Sequence, residues 1–185
     1  MDHHEMVALI QAGVHAPGGV WADLGAGTGN FSWALAEHLG PHAMIHTLDR
    51  DARAVAAQQA RIQRDPPAAT IIAHQGDVQR RLDLPPLDGI LCASLLHFIN
   101  DQAELLGRLA AQLRPGGRLL VVEYEQQLPL PWVPHPLPFA RFVSLATTTG
   151  FAFPTRVGMR RSPSSGQVMY AAVGMRPRTE LDNLA

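Results

Sequence analysis

The sequence predicts an α/β fold: a doubly wound, mostly parallel sheet that closes in an antiparallel hairpin. Three observations lead there. Short β-rich runs alternate with helical patterns through most of the chain, and such alternation builds parallel strands joined by crossover helices. A glycine-rich stretch, Asp23-Leu24-Gly25-Ala26-Gly27-Thr28-Gly29, stands between a strand pattern and a helix pattern. Near the end, two β-rich runs flank Ser162-Pro163-Ser164-Ser165-Gly166, a turn composition that joins antiparallel neighbours.

Each element follows from local pattern. Met6, Leu9, Ile10 and Gly13 recur at helical spacing across residues 3–13, and Gly18-Gly19 breaks the chain before a first strand at 20–24. Phe31, Ala34, Leu35 and Leu39 make one stripe of the next helix, which Gly40-Pro41 stops. A second strand at 44–48 leads into a helix over 51–64, ended by Pro66-Pro67. The third strand is 70–73 and the fourth 89–93. Asp101 with Glu104 resembles a capping box, and Leu105, Leu106, Leu109 and Leu113 form the buried stripe behind it. Arg114-Pro115-Gly116-Gly117 ends that helix and turns into a fifth strand at 118–123. Prolines at 129, 131, 134, 136 and 138 exclude regular structure before a helix at 139–148. The hairpin strands are 155–161 and 167–175. One domain over residues 1–176 with a tail at 177–185 is the expected organisation.

Composition narrows the chemistry. The chain has 185 residues, 46% hydrophobic and 17% charged, which is globular and not disordered. No apolar run approaches the roughly 20 residues that span a bilayer, and the first residues lack the basic start and apolar stretch of a secretory signal. A cytoplasmic protein is expected, with no membrane partner. The single cysteine, Cys92, excludes a disulfide framework and a multi-cysteine zinc site. All 15 basic residues are arginine. The absence of lysine excludes a Schiff base, a lysine general base and the lysine of a P-loop. The alanine-rich, lysine-free composition suggests a GC-rich bacterial genome. A net charge of −1 gives no field that attracts nucleic acid. The nine histidines form no metal-ligand pattern: His42 and His46 are four apart but fall on a loop and a strand, and no H-E-x-x-H occurs. No metal is expected.

The glycine stretch carries the strongest chemical signal. Glycines let the backbone turn sharply and approach a ligand, and the helix start behind them offers free N–H groups. The dinucleotide fingerprint is G-x-G-x-x-G. Here the glycines fall at 25, 27 and 29, position 30 is asparagine, and an acid stands two residues before the first glycine. Asp49 ends the second strand about 20 residues past the loop, where a carboxylate can accept hydrogen bonds from ribose hydroxyls. Its structural alternative is an N-cap for the next helix. Gly76-Asp77-Val78 follows the third strand. His97 follows the fourth strand and is a candidate base, substrate contact or packing residue.

Asp23-x-Gly-x-Gly-x-Gly resembles motif I of the class I S-adenosylmethionine-dependent methyltransferases, and the resemblance extends over roughly residues 15–175. It implies the Rossmann-like strand order 3-2-1-4-5-7-6, S-adenosylmethionine as cofactor and S-adenosylhomocysteine as product. It places the cofactor against Asp23, Gly25, Ala26, Gly27, Asp49, Arg50, Gly76, Asp77, Val78 and Ala93. Within that set Asp49 would bind the ribose, and Asp77 with the Val78 backbone would meet the adenine. The Leu96-His97 pair resembles motif IV, and Leu113 to Leu119 resembles the family's turn into strand five. His97 and Tyr124 are the candidates for a catalytic role, and Glu123 and Tyr124, which end the fifth strand, are substrate-side candidates, with a solvated strand end as the alternative for Glu123. The sulfonium activates the methyl itself, so the protein mainly has to align a nucleophile and exclude water.

Two alternatives stay open on the residues: a nicotinamide- or nucleotide-binding oxidoreductase of the same topology, and a methyltransferase-like module that binds cofactor without turnover. The place after strand four reads Ser94-Leu95-Leu96-His97, where amino-methylating nucleic-acid enzymes carry an Asn/Asp-Pro-Pro-aromatic motif. Cys92 follows Leu91, whereas cytosine C5 enzymes need a Pro-Cys nucleophile. A small-molecule acceptor is left by elimination. The residues favour neither a monomer nor a homodimer. The proline-dense segment 125–138, with Trp132, is expected either to wall the substrate side of the pocket or to strap the chain to the helix after it.

Overall fold

The computed structural model describes residues 1–80, 82–163 and 165–178. Ser164 of the expected turn and the expected tail beyond Arg178 lie outside them. Seven strands form one sheet in the order β3-β2-β1-β4-β5-β7-β6. They are β1 (Gly19–Leu24), β2 (Ala43–Asp49), β3 (Thr70–Gln75), β4 (Leu87–Ala93), β5 (Leu113–Tyr124), β6 (Ala152–Arg161) and β7 (Val168–Met175). Strands β1 to β5 pair in parallel, and β7 runs antiparallel to both β5 and β6.

The helices are α1 (His3–Ile10), α2 (Asn30–Leu39), α3 (Ala52–Arg64), α4 (Gln102–Gln112) and α5 (Phe139–Thr148). Strand alternation sends successive side chains to opposite faces, and each face has its own core. Trp21, Ile45, Leu91, Leu120 and Val122 pack with α1 and α2, together with Ile62 of α3. Ala22, Ile90, Cys92, Leu119 and Val121 pack with Leu105, Leu106 and Leu109 of α4 and Phe142 of α5. Fully burying each of these larger side chains contributes about 1.5–3 kcal/mol.

The helix starts are chemically defined. Asp2 and Glu5 close a capping box on α1. Asp51 accepts from the Arg53 N–H at the start of α3. At α4 only half of the expected capping box forms: Asp101 accepts from the Glu104 N–H (2.9 Å), while the Glu104 carboxylate pairs with Arg108 at 2.6 Å. Arg114-Pro115-Gly116-Gly117 does end α4, but those residues belong to an irregular start of β5. Leu113 stays paired with Leu87 while Arg118 pairs with Gly89, a shift of register. Pro115 is tolerated there because the ladder is already broken.

The proline-dense segment contains one isolated bridge, Leu130 with Val133. It is held down by Val133 and Leu137, both buried, and by polar contacts to its backbone. Gln102 Nε2 donates to the His135 carbonyl (2.9 Å) and the Tyr170 hydroxyl to the Leu137 carbonyl (2.7 Å). Trp132 remains 54% exposed, so it is not the residue that fastens this strap to α5. No helix of the described residues is long and apolar enough to cross a membrane.

Candidate functional site

Parallel register brings four loops to one edge. Leu24 is opposite Leu48 and Cys92, and Asp49 is opposite Gln75. The residues that follow these strands therefore converge at their C-terminal ends, where open α/β sheets bind ligands. Gly25, Asp49, Arg50, Gly76, Asp77 and Val78 line one cleft of about 210 Å³ together with Ser94, Leu95 and Phe98. A second cleft of about 350 Å³ is lined by Ala26, Gly27, Ala93 and Ser94, together with Met6 and Phe31. Ser94 lines both.

The glycine loop is fixed from below. The N–H groups of Gly25 and Ala26 both donate to the Leu48 carbonyl (2.8 and 3.1 Å). Asp49 accepts from the Gly27 N–H through Oδ2 (2.7 Å) and from the Asp51 N–H through Oδ1 (2.9 Å). It thus holds the loop, and Asp51 does the helix capping. Gln58, buried on α3, accepts from Thr47 Oγ1 (2.5 Å) and donates to the Gly27 carbonyl (2.6 Å). Gly27 has φ +54°, and a Cβ there would meet nothing within 4 Å. Its open side is the cleft itself. A Cβ on Gly25 would instead come within 2.6 Å of Leu95.

Asp23 lies under this loop, only 1% exposed. Ser32 Oγ donates to its Oδ2 (2.6 Å), while Oδ1 is buried with no partner among the described residues. Burial, with a smaller push from the Asp49 charge, raises the carboxyl to about 7, against the lowering effect of Ser32. Gly29, the N-cap residue of α2, supplies no side-chain cap, so backbone donors face the same region. Asp77 accepts from the Gln79 N–H through Oδ1 (2.9 Å), which shapes the turn beside the first cleft.

His97 and Tyr124 line neither cleft. His97 sits in a 3-10 turn, Leu96–Phe98, only 2% exposed. Its Nδ1 lies 2.6 Å from Glu123 Oε2, and its backbone N–H donates to Glu123 Oε1 (3.3 Å). Glu123 is fully buried. The Tyr124 ring stands 5.8 Å from the imidazole. Burial pushes the Cys92 thiol well up, in keeping with a packing role.

Sequence reasoning missed Ser32, Gln58 and the His97–Glu123 pair. Gln58 had a signal: it falls three residues after Val55 and four before Ile62, on the inward stripe of α3. Ser94 also has a left-handed backbone, φ 52°, a conformation that costs a non-glycine residue about 1–3 kcal/mol and clusters at ligand sites.

The two clefts meet at Ser94, beside the glycine loop that Asp49 holds. A methyltransferase-domain family model matches residues 22–119. The trans-aconitate 2-methyltransferase of a Mycobacterium species (strain KMS) is 32% identical over 111 residues, 60% of this chain and 40% of that protein. The chain spans less than half the length of the curated relatives it matches. The Bacillus subtilis YcgJ protein superposes with a TM-score of 0.73 at 14% identity, covering 96% of this chain and 100% of that one. An S-adenosylmethionine-dependent methyltransferase of Aquifex aeolicus gives 0.72 at 12% identity, with 95% and 99% covered. With half of the chain matched by the family model and the whole strand order reproduced, the chain belongs to the methyltransferase-domain family, the class I S-adenosylmethionine-dependent methyltransferases.

Proposed function

We propose that this chain binds S-adenosylmethionine across the two adjoining clefts and transfers its methyl group to a small-molecule acceptor. The observation that carries this reading is the convergence of Gly25, Asp49, Asp77 and Ala93 on clefts that share Ser94. The cofactor supplies a methyl group already activated by its sulfonium. The chain's own residues bind and orient. Asp49 keeps acceptor capacity for ribose hydroxyls beyond its two backbone bonds. Asp77 and the Val78 backbone would take the adenine, with Leu95 and Phe98 covering it. The Gly25–Gly27 backbone, with Asp23 buried beneath it, would take the amino-acid end. Arg50 at the cleft mouth would sit beside the ribose.

The acceptor would enter past Met6 and Phe31. Among the described residues that line the second cleft, none has an acidic or basic side chain, which favours an acceptor without several charges. The trans-aconitate acceptor belongs to the relatives, and a polyanion would need cationic side chains that the described lining does not offer. Calorimetric titration tests the reading: S-adenosylmethionine and S-adenosylhomocysteine should bind with micromolar dissociation constants, and no heat at millimolar ligand would overturn it. A methyl-transfer screen over metabolite pools, read by mass shift, would then find the acceptor.

A further inference from the structure

We propose that the opposite edge of the sheet carries a second ligand site, which takes a nucleoside polyphosphate by its phosphates and its ring. The cofactor clefts beside Ser94 lie at the C-terminal ends of the parallel strands. This second site lies at the other end, independent of the cofactor reading. Gly19 opens β1 there, and Arg118 of β5 pairs with Met175, the last residue of β7. The length of β1, at about 3.3 Å per residue, keeps the two edges roughly 15–20 Å apart.

Two clefts meet at this edge. One of about 340 Å³ is lined by Arg118, Arg176, Arg178 and Phe153; one of about 240 Å³ adjoins it, and His15, Gly116 and Arg118 line both. The larger falls within the ordinary size of small-molecule sites, roughly 300–1,000 Å³. Three segments distant in sequence thus bring three guanidinium groups and an imidazole to one place. Among the described residues, no acidic side chain lines the larger cleft. Asp88 lines the smaller one but is already committed: its Oδ2 accepts from Arg114 and from the Val20 N–H, both at 2.7 Å. The side chains of Arg118 and Arg178 make no hydrogen bond or ion pair among the described residues. Like charges gathered without a counter-ion repel, and an anion in the cleft relieves that repulsion.

The backbone holds the arrangement in advance. The Gly116 N–H donates to the Arg176 carbonyl (2.9 Å) and the Arg176 N–H to the Gly117 carbonyl (2.8 Å), so the turn into β5 and the exit of β7 are fixed to each other. Arg176 Nη1 donates to the Leu113 carbonyl, which anchors its guanidinium. A Cβ on Gly116 would come within 2.7 Å of Arg178 Nε, so the glycine lets Arg178 lie across the turn. Arginine presents a planar fork of donors that matches phosphate oxygens in pairs. Phe153 supplies the ring contact. It is 79% exposed with a left-handed backbone, φ 51°, and a register shift between Ala152 and Thr155 frees it from the ladder. Such irregularities re-aim side chains, and strain at a non-glycine residue is typical of ligand contacts. A base stacked on Phe153, with its phosphates among the arginines, uses both features.

Calorimetric titration of the full chain at low salt tests this, with guanosine triphosphate and inorganic tripolyphosphate as probes, with and without S-adenosylhomocysteine. The nucleotide should bind with a micromolar dissociation constant and tripolyphosphate about tenfold more weakly, the loss of one base–aromatic stack. Arg118→Gln should weaken both probes by about tenfold or more. Arg178→Gln, at an exposed position, should do the same and serves should the first variant not fold. Phe153→Gly should weaken the nucleotide alone while the melting temperature holds or rises, because glycine adopts this backbone freely. No heat at millimolar nucleotide overturns the proposal. So do unchanged affinities in both arginine variants, equal affinity for the two probes, or a melting temperature that falls in Phe153→Gly with nucleotide affinity unchanged. Displacement of the nucleotide by S-adenosylhomocysteine assigns it to the cofactor clefts and overturns the second site. A chain that binds no S-adenosylhomocysteine overturns the cofactor reading instead, and the arginine variants then decide this site. A single-stranded oligonucleotide that binds more tightly than the nucleotide makes this edge a nucleic-acid surface and also overturns the proposal.

Discussion

The β1–β2 and β4–β5 sides of the same sheet edge are built differently. On the β1–β2 side, backbone groups do most of the shaping: the Leu48 carbonyl accepts from the Gly25 and Ala26 N–H groups, and Asp49 accepts from the Gly27 and Asp51 N–H groups. On the β4–β5 side, side chains brought from far apart in sequence hold the structure. His97 meets Glu123, Gln102 meets the His135 carbonyl, and Tyr170 meets the Leu137 carbonyl. The first side is a backbone cradle that would serve any member of the family. The second is a set of particular side chains. The two sides should therefore respond to different substitutions.

The sharpest way to break the cradle is Gly27→Val. The residue has φ +54° and its open side is the cleft, so a branched side chain meets both a strained backbone and the ligand's space. Cofactor affinity should fall by at least about a hundredfold, read by calorimetry, while Tyr170 and the β4–β5 side keep their near-UV signal.

Asp23 gives the next effect, in pH. Its folded carboxyl is raised to about 7 from 3.8, so the folded chain holds a proton that the unfolded chain has released. Its contribution to stability is complete below about pH 4 and is lost as pH rises through 7, up to about 4 kcal/mol. The melting temperature of the cofactor-free chain should fall between pH 5 and pH 8. Asp23→Asn should flatten that slope, and an equal slope in the variant would place the titrating group elsewhere.

Asp49→Ala removes an acceptor from the Gly27 and Asp51 N–H groups and from the proposed ribose. Losing charge-assisted bonds of this kind costs about 1.5–3 kcal/mol, roughly a tenfold to hundredfold loss of affinity. An unchanged dissociation constant in the folded variant would confine Asp49 to holding the loop. The smallest expected effect is on the other side. Trp132 is half exposed while Val133 and Leu137 are buried, so Trp132→Ala should change stability by no more than about 0.5 kcal/mol. Lower turnover at constant melting temperature would make it a substrate wall; unchanged turnover would leave the segment a strap alone.

What was legible in the sequence was local. Glycine and proline punctuation, period-2 and period-3.6 patterns and the Asp23–Gly29 spacing fix where strands end and loops begin. A parallel sheet then brings those loops to one edge, so Gly25, Asp49, Asp77 and Ala93 could be named together. Even there, local chemistry was ambiguous about partners: Glu104 reads as half of a capping box, but Arg108 one turn later captures its carboxylate, because an ion pair on the helix surface competes with the cap.

The sequence by itself determined the fold class, the strand–loop–helix order and the cradle, since each depends on residues within one turn or one crossover of each other. Only the tertiary structure decided which buried polar groups meet. His46 and His74 stack across β2 and β3 with Nδ1 to Nε2 at 3.0 Å. Ser32 satisfies one oxygen of Asp23, and the other has no partner among the described residues. Glu123 finds His97 rather than solvent. Strand position places each of these side chains on a face, but a period cannot say which partner stands across the gap. That depends on register and on the angle at which helices and loops close over the sheet, and burial makes the answer matter because an unpartnered polar group in the interior costs about 1–3 kcal/mol.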